Sequence, residues 1–585
     1  MRIKMFQLVV STFISLSVLF SGTSSAAESK SALNQPPILG FDSIIFPQVA
    51  NGGMVASQES RATQVGVEIL QKGGNAVDAA IATGFALAVT LPRAGNIGGG
   101  GFMMIYDKKS QKVYALDYRE MAPALAFRDM FLDESGNVDN KKARYSIYSS
   151  GVPGTVAGMV EAHKKFGKLP FKDLVEPAIR LAKELPMSYS MAQSLNAKKD
   201  YMSRDPGTKA IFVKGENDLW NLGDTIVQND LATTLTRIAN TNGKDFYHGK
   251  TADMLEKFFV ENKGYIRKSD LANYKAIWRD PVSTSLGDYK IFSMPPPSSG
   301  GVHLVQLLNI IRQFPIDKAG SNTVYETHMK TEAMKFAYAD RSKYLGDPDF
   351  VNVPVKLLTS ESYAKTIASK ISIDKVLTSD EVKPGQYLDN ESPQTTHYSV
   401  MDREGNIVSN TYTLNFSYGS GITAKDTGIL LNNEMDDFSA KPGSPNGYGL
   451  LGGEANAIQP FKRPLSSMTP VVALYKDEPW LATGSPGGSF IISIVMNTLL
   501  NRIVHNMNIA EATITPRIHH QWYPDKLFVE KGFPVDTANL LKQKGHNVVF
   551  SSPWGSVQSI EYKDGLFYGF ADPRRPGASA EGFNK

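Results

Sequence analysis

Two strand-like runs, Gln394–Ser399 and Thr411–Asn415, stand on either side of a polar, glycine-containing turn signal, Asp402-Arg403-Glu404-Gly405-Asn406. Thr395 and Thr413 each lie nine residues from Glu404. An antiparallel hairpin centred there sets the two threonines opposite each other, with Cβ atoms roughly 5 Å apart. Taken alone, the pairing reads first as an ordinary hairpin, because threonine is a common strand residue. What singles it out is the rest of the chain.

No cysteine occurs among the 585 residues. That excludes disulfides, thiolate nucleophiles and cysteine-ligated metals together, so covalent chemistry falls to an oxygen or amine nucleophile. A hydrophobic content of 42% with 21% charged residues is that of a globular protein able to bury a large core without staples. The formal charge of +4 includes Arg2 and Lys4, and no basic face is clustered enough to imply a nucleic-acid partner. Arg2 and Lys4 open a secretory signal, with an apolar stretch from Phe6 to Phe20 and a small-residue zone, Ser24-Ser25-Ala26-Ala27. The apolar stretch is shorter than the roughly 20 residues of a spanning helix. The expectation is a signal peptide over 1–26, no membrane anchor, and a periplasmic or secreted protein.

Ser57 to Leu70 reads as a helix ended by Gly73-Gly74, and Ala76 to Thr90 as a small-residue helix stopped by Pro92. The run from Gly95 to Gly101 lacks the Lys-Ser/Thr of a phosphate loop and precedes a strand, so it reads as closely packed backbone near a site or sheet edge. Strands follow at Phe102–Tyr106 and Val113–Tyr118, and 155–285 is rich in helical patterns with Pro and Gly breaks. Pro295–Gly301 is a rigid turn leading into a helix over His303–Phe314. A polar stretch, Thr378–Ser392, reads as exposed, and beyond the hairpin a strand over Val471–Tyr475 and a helix over Phe490–Val504 are predicted.

The sequence contains no Gly-x-Ser-x-Gly elbow and no His-Glu-x-x-His, and its nine histidines show no ligand spacing. A nucleophilic threonine then lacks an imidazole base. It gains one if it becomes an N-terminus, since its own α-amine titrates near 8, roughly, and suits proton transfer at neutral pH. Thr483–Ser489 carries Gly487-Gly488 just ahead of the helix, with Ser489 as candidate N-cap. Bare N–H groups there suit an oxyanion, and a plain tight turn accounts for the glycines equally well.

Several long, ordered motifs identify the chain as resembling the γ-glutamyltranspeptidases of the N-terminal-nucleophile hydrolase superfamily. They are Gly98–Met103, Leu116–Pro123, Ser150–Gly154, Pro295–Gly301, Thr395–Val400, Leu431–Phe438 and Arg463–Met468. The resemblance implies a mixed α/β fold, a four-layer αββα sandwich of two stacked, mainly antiparallel sheets. It also implies a precursor that cuts itself between Gln394 and Thr395, giving a large subunit, 27–394, and a small catalytic one, 395–585, which form a heterodimer. Thr395 becomes the nucleophile, Thr413 orients it, and Gly487 and Gly488 take the oxyanion positions. Arg119, Ser466 and Ser467 match the residues that hold the donor's α-carboxylate, and Asn415, Glu434 and Asp437 those that hold its α-ammonium. The segment Lys441–Asn456, with Tyr448, matches the lid loop of some bacterial members. The expected reaction moves a γ-glutamyl group from glutathione or another γ-glutamyl amide to water or to an amino acid or dipeptide acceptor, with no metal or organic cofactor.

The residue types fit that chemistry on their own terms. A γ-glutamyl head carries a carboxylate and an ammonium on one carbon. Arg119 offers a planar fork and the serines offer hydroxyl donors for the first, while two acids accept from the second. A cephalosporin-side-chain acylase or a poly-γ-glutamate depolymerase could use the same nucleophile, and an exported adhesin that never cuts itself is the rival from another class.

Overall fold

The hairpin forms in the predicted register. In the computed structural model, which describes residues 43–382, 395–444, 446 and 450–585, Thr396 pairs with Tyr412 and Met401 with Ile407. The turn closes with Asp402 N–H on the Asn406 carbonyl at 3.2 Å. Residues 1–26, expected as a signal peptide, together with Gln394 and Tyr448, lie outside the described residues.

Strands Thr396–Asp402 and Ile407–Thr413 occupy the middle of a seven-stranded antiparallel sheet. Its order is Ser579–Gly582, Gly53–Ser57, the hairpin, Gly100–Asp107, Lys112–Tyr118 and Ile277–Arg279. Both faces are covered, so the hairpin strands are buried throughout while their side chains alternate between two cores. Met103, Ile105, Val400 and Val408 face a core shared with helices Ser60–Gln71 and Ala76–Thr90. Phe102, Met104, Met401 and Ile407 face a second core. That core is shared with another seven-stranded antiparallel sheet, which includes Val471–Tyr475, Glu478–Thr483 and Gln558–Lys563. Helices Gly300–Ile311 and Ile491–Ile503 cover its far side. The expected helix–sheet–sheet–helix layering is thereby met.

The glycine run does what close backbone packing requires. A Cβ on Gly99 would sit 2.0 Å from the Thr413 carbonyl oxygen, so only glycine lets this strand meet the end of the hairpin. Helix Ala76–Thr90 is buried along its whole length and starts in a capping box, with Asn75 and Asp78 each accepting the other's backbone N–H. The hairpin turn anchors it as well. Asp402 accepts from the Ala76 N–H at 2.8 Å and from the Asn406 N–H at 2.9 Å, which places a carboxylate at the positive end of the helix.

Three elements differ from expectation. Ser57 ends a strand, and the first helix starts at Ser60, because Glu59 takes the N-cap and accepts from the Ala62 N–H at 3.1 Å. The helix predicted to start at His303 starts at Gly300 and ends at Ile311. Within Thr378–Ser392, Ser379 and Val382 are buried rather than exposed; the Trp522 indole donates to the Ser379 carbonyl at 2.8 Å. The remainder of that stretch from 383 lies outside the described residues. No helix among the described residues is long and apolar enough to cross a membrane.

Replacing Asp402 with Ala strips partners from the Ala76 N–H and from the turn, both buried or nearly so. The expected cost is about 2 kcal/mol in stability, read as a lowered urea midpoint. The turn is about 24 Å along the strand from Thr395, so specific activity of the folded fraction should stay near that of the unaltered protein.

Candidate active site

Thr395 stands at the head of its strand, buried to within 4% of its surface, and donates to the Thr413 hydroxyl at 3.5 Å. That contact is long, an orienting neighbour more than a strong bond. Thr413 itself is held firmly. Its hydroxyl accepts from the Asn415 N–H at 2.8 Å, and its carbonyl accepts from the Asn96 amide at 2.9 Å. Asn96 in turn accepts from Gly99 N–H and from the Thr155 hydroxyl, both at 2.8 Å. On the other side, Arg575 donates to the Thr395 carbonyl at 3.3 Å.

His397 is the next residue on the same face of the strand and the nearest imidazole in sequence. Its Nδ1 meets the Thr411 hydroxyl at 2.8 Å and its Nε2 the Ser399 hydroxyl at 3.1 Å. Burial pulls its pKa down to about 3. Both nitrogens are spent on hydroxyls of the hairpin's own two strands, so this ring is placed to brace the hairpin and not to take a proton from Thr395.

Gly487 and Gly488 adopt φ of 149° and 53°, conformations that glycine tolerates and other residues resist. Neither amide N–H finds a backbone acceptor among the described residues. A short 3-10 turn, Gly488–Phe490, then runs into helix Ile491–Ile503. Ser489 is not the N-cap. It sits inside the turn and donates to the Gln521 side chain at 2.7 Å, because the glycines already carry the change of direction.

One pocket of about 300 Å³ gathers most of the predicted residues: Thr395, Thr413, Gly488, Arg119, Glu434, Asp437, Ser466 and Ser467 line it. Gly487 and Asn415 stand one step behind, bonded to lining residues through the chain and through Thr413. Leu450, from the segment read as a lid, is on the wall, and Asn446 donates to Asp437 at 3.4 Å.

The charged end departs from a simple division of labour. Arg119, fully buried, donates one terminal nitrogen to Glu434 and the other to Asp437, so the cation and the acids meant for opposite substrate charges are paired with each other. Glu120 lies 3.5 Å from the same guanidinium, and neither of its oxygens accepts a hydrogen bond among the described residues. Burial pushes the Glu120 carboxyl up to about 7 against the pull of Arg119, and raises Glu434 and Asp437 in the same way. Burial would lower Arg119, but the three acids hold it above its usual value. Ser466 accepts the Met468 N–H at 3.1 Å, which leaves its own O–H to be given away.

Sequence reasoning missed Glu120 and Arg341, both buried beside this pocket. It also missed a grouping of His328, Glu332 and His546 whose ligand atoms lie within 4.8 Å of one another. Lys335 already occupies Glu332 at 2.8 Å and supplies the charge a metal would bring. The signal that could have pointed to His328 and Glu332 was the helix Val324–Tyr344, whose charged residues fall on every face and therefore had to be buried against partners.

A gamma-glutamyltranspeptidase family model matches residues 62–582. The glutathione hydrolase proenzyme of Escherichia coli (strain K12) is 50% identical over 566 residues, which cover 96% of this chain and 97% of that relative. The glutathione hydrolase proenzyme of Bacillus subtilis (strain 168) is 39% identical, over 93% of this chain and 94% of its own length. Among solved structures, cephalosporin acylase from Bacillus halodurans superposes with a TM-score of 0.84 at 28% identity, covering 94% of this chain and 99% of that one. The Helicobacter pylori gamma-glutamyltranspeptidase chain matches 59% of this chain and 97% of its own, with a TM-score of 0.55 and 42% identity.

Replacing Arg119 with Met should leave three buried carboxylates without their shared cation, at a cost of about 3–5 kcal/mol. The acids' folded-state pKa values would then rise further above their unfolded values. A raised group withholds stability as pH climbs past its unfolded pKa, near 4 for a carboxylate. The loss in melting temperature should therefore be larger at pH 8 than at pH 5.5; an equal loss at both would show that the acids are not coupled to Arg119.

Proposed function

Because the chain belongs to the γ-glutamyltranspeptidase family, we propose that it cleaves γ-glutamyl amides such as glutathione and passes the γ-glutamyl group to water or to an amino acid or dipeptide. The precursor cuts itself between Gln394 and Thr395 after export on a signal peptide spanning 1–26. Residues 27–394 and 395–585 remain together as large and small subunits.

In the mature enzyme the Thr395 α-amine takes the proton from its own hydroxyl, and Oγ1 attacks the γ-carbonyl carbon. The developing oxyanion is received by the Gly487 and Gly488 N–H groups. The amine returns the proton to the leaving nitrogen, which departs and leaves a γ-glutamyl ester on Thr395. Water or an acceptor amine, deprotonated by the same α-amine, attacks the ester and releases product. Thr413 keeps the nucleophile aimed throughout. The donor's α-carboxylate faces Arg119, Ser466 and Ser467, and its α-ammonium faces Asn415, Glu434 and Asp437.

The observation that carries this reading is the convergence of Thr395, the Gly488 turn and the Arg119–Glu434–Asp437 cluster on one pocket. The ion pairs within that cluster are the right inventory for a zwitterionic head: the carboxylate takes over bonds of Arg119 while the ammonium takes over the acids. Cephalosporin acylase is the second reading, favoured by the whole-length superposition. A side chain that lacks an α-ammonium leaves Glu434 and Asp437 without that partner, so a direct comparison of the two substrates separates the readings.

On a denaturing gel the mature protein should give bands of about 40 and about 21 kDa, by length scaling of the 64.0 kDa chain, with the smaller starting Thr395-Thr396-His397. Thr395→Ala should stay one uncut, inactive chain; full activity from an uncut chain would remove the N-terminal nucleophile. Turnover of the mature enzyme should rise with pH through an α-amine ionisation near 8, roughly. Selective acetylation of that amine should abolish turnover while donor-analogue binding persists.

A further inference from the structure

Arg341 lies near the end of helix Val324–Tyr344, buried to within 4% of its surface and on the wall of the Thr395 pocket. Its Nε donates to the Ser299 hydroxyl at 2.9 Å and a terminal nitrogen to the Ser467 hydroxyl at 3.2 Å. It forms no ion pair with a carboxylate among the described residues, whereas the guanidinium of Arg119 is already shared between Glu434 and Asp437. Burial pulls Arg341 down to about 10, which still leaves it a cation at neutral pH.

Both contacts act on the same short segment. A hydroxyl oxygen that accepts an N–H keeps its own hydrogen for another acceptor, so Ser467 is left with an O–H to donate, and a charged partner on the oxygen strengthens that donation. Ser299 relays the second contact: its hydroxyl and its N–H both bond the Ser466 carbonyl, at 2.7 and 2.8 Å. The Ser466 side chain is already an acceptor from Met468 N–H. Among the described residues, Arg341 thus sits behind two serines whose hydroxyl hydrogens are unspent, and it brings a positive charge that no acid pairs with directly.

We infer that Arg341 is the positioning residue of the donor's α-carboxylate subsite, leaving the Ser467 O–H to donate, holding the Ser466 backbone through Ser299, and supplying the charge that selects an α-carboxylate. This rests on the γ-glutamyl reading above. It differs from the assignment of Arg119 in one respect: Arg119 must release acids before it can take up a carboxylate, while the partners of Arg341 among the described residues are neutral hydroxyls.

The test uses self-cleaved enzyme and two chromogenic anilides, γ-glutamyl and 4-aminobutyryl, the second being the first without its α-carboxylate. Arg341→Gln should raise KM for the γ-glutamyl anilide about tenfold or more, the range expected for losing a charge-assisted bond, with kcat changed less than about threefold. For the 4-aminobutyryl anilide kcat/KM should stay within about twofold. Arg341→Lys, which keeps the charge and is the fallback if the Gln variant does not mature, should raise the γ-glutamyl KM by a smaller factor and leave the other donor unaffected. In a Ser467→Ala background either substitution should add less than it costs alone, because one of its two routes to the substrate is gone. Equal losses on both donors, or full additivity with Ser467→Ala, would mean that Arg341 only supports the fold. An active starting enzyme whose Arg341 variants keep the same γ-glutamyl KM overturns this inference alone. A starting enzyme that leaves the γ-glutamyl anilide intact overturns the γ-glutamyl reading, and this inference with it.

Discussion

The ladder between Thr396–Asp402 and Ile407–Thr413 is the constraint on which the rest of the molecule depends. Each strand is buried on both faces, one toward helices and one toward the second sheet. A slip of one residue would exchange the two faces, send Met401 and Ile407 into the wrong layer, and turn Thr395 away from Thr413. Core packing thus enforces the same register that brings the two hydroxyls together. Asp402 adds a local lock by fastening the turn to the start of helix Ala76–Thr90. Precision at the site is a by-product of burying two apolar faces, which is why it survives at one end of a strand.

At the other end of the pocket, electrostatics takes over from packing. Three acids and two arginines, drawn from three distant parts of the chain, are removed from water around one pocket, an arrangement that desolvation makes costly. An apolar core would be the more stable choice there. The polar cluster makes sense as a set of partners awaiting exchange: a ligand with one charge of each sign can replace internal pairs without adding net charge to a dry interior. The serines, with their oxygens already accepting from Met468 and Arg341, complete a rim of donors.

How much of this could be read beforehand depended on where each signal resides. Ala76–Thr90 and Val471–Tyr475 were read to the residue, since Asn75, Pro92 and the flanking polar residues mark their ends locally. The hairpin symmetry about Glu404 was equally local. Gly53–Ser57 was hidden because Ser57 and Glu59 are both credible caps, and only pairing with Thr396–Asp402 decides between them. Ser489 misled for a similar reason, a good capping residue placed where two glycines already do the turning. Arg341 and Glu120 have no spacing to announce them. They are single charges brought to the pocket by the packing of distant elements, and the resemblance to a family supplied the other binding residues where spacing alone did not.

The order of strands has a mechanical consequence. The hairpin lies between Gly53–Ser57 on one side and Gly100–Asp107 on the other, both drawn from before residue 395, while Ser579–Gly582, from the far end of the chain, closes the sheet beyond Gly53–Ser57. Pieces made by severing the backbone ahead of Thr395 would be interleaved strand by strand. Pulling them apart would mean unzipping ladders on both flanks of the hairpin and opening both hydrophobic cores at once. Such a nick releases one end of a strand while the two fragments go on melting as a single cooperative body.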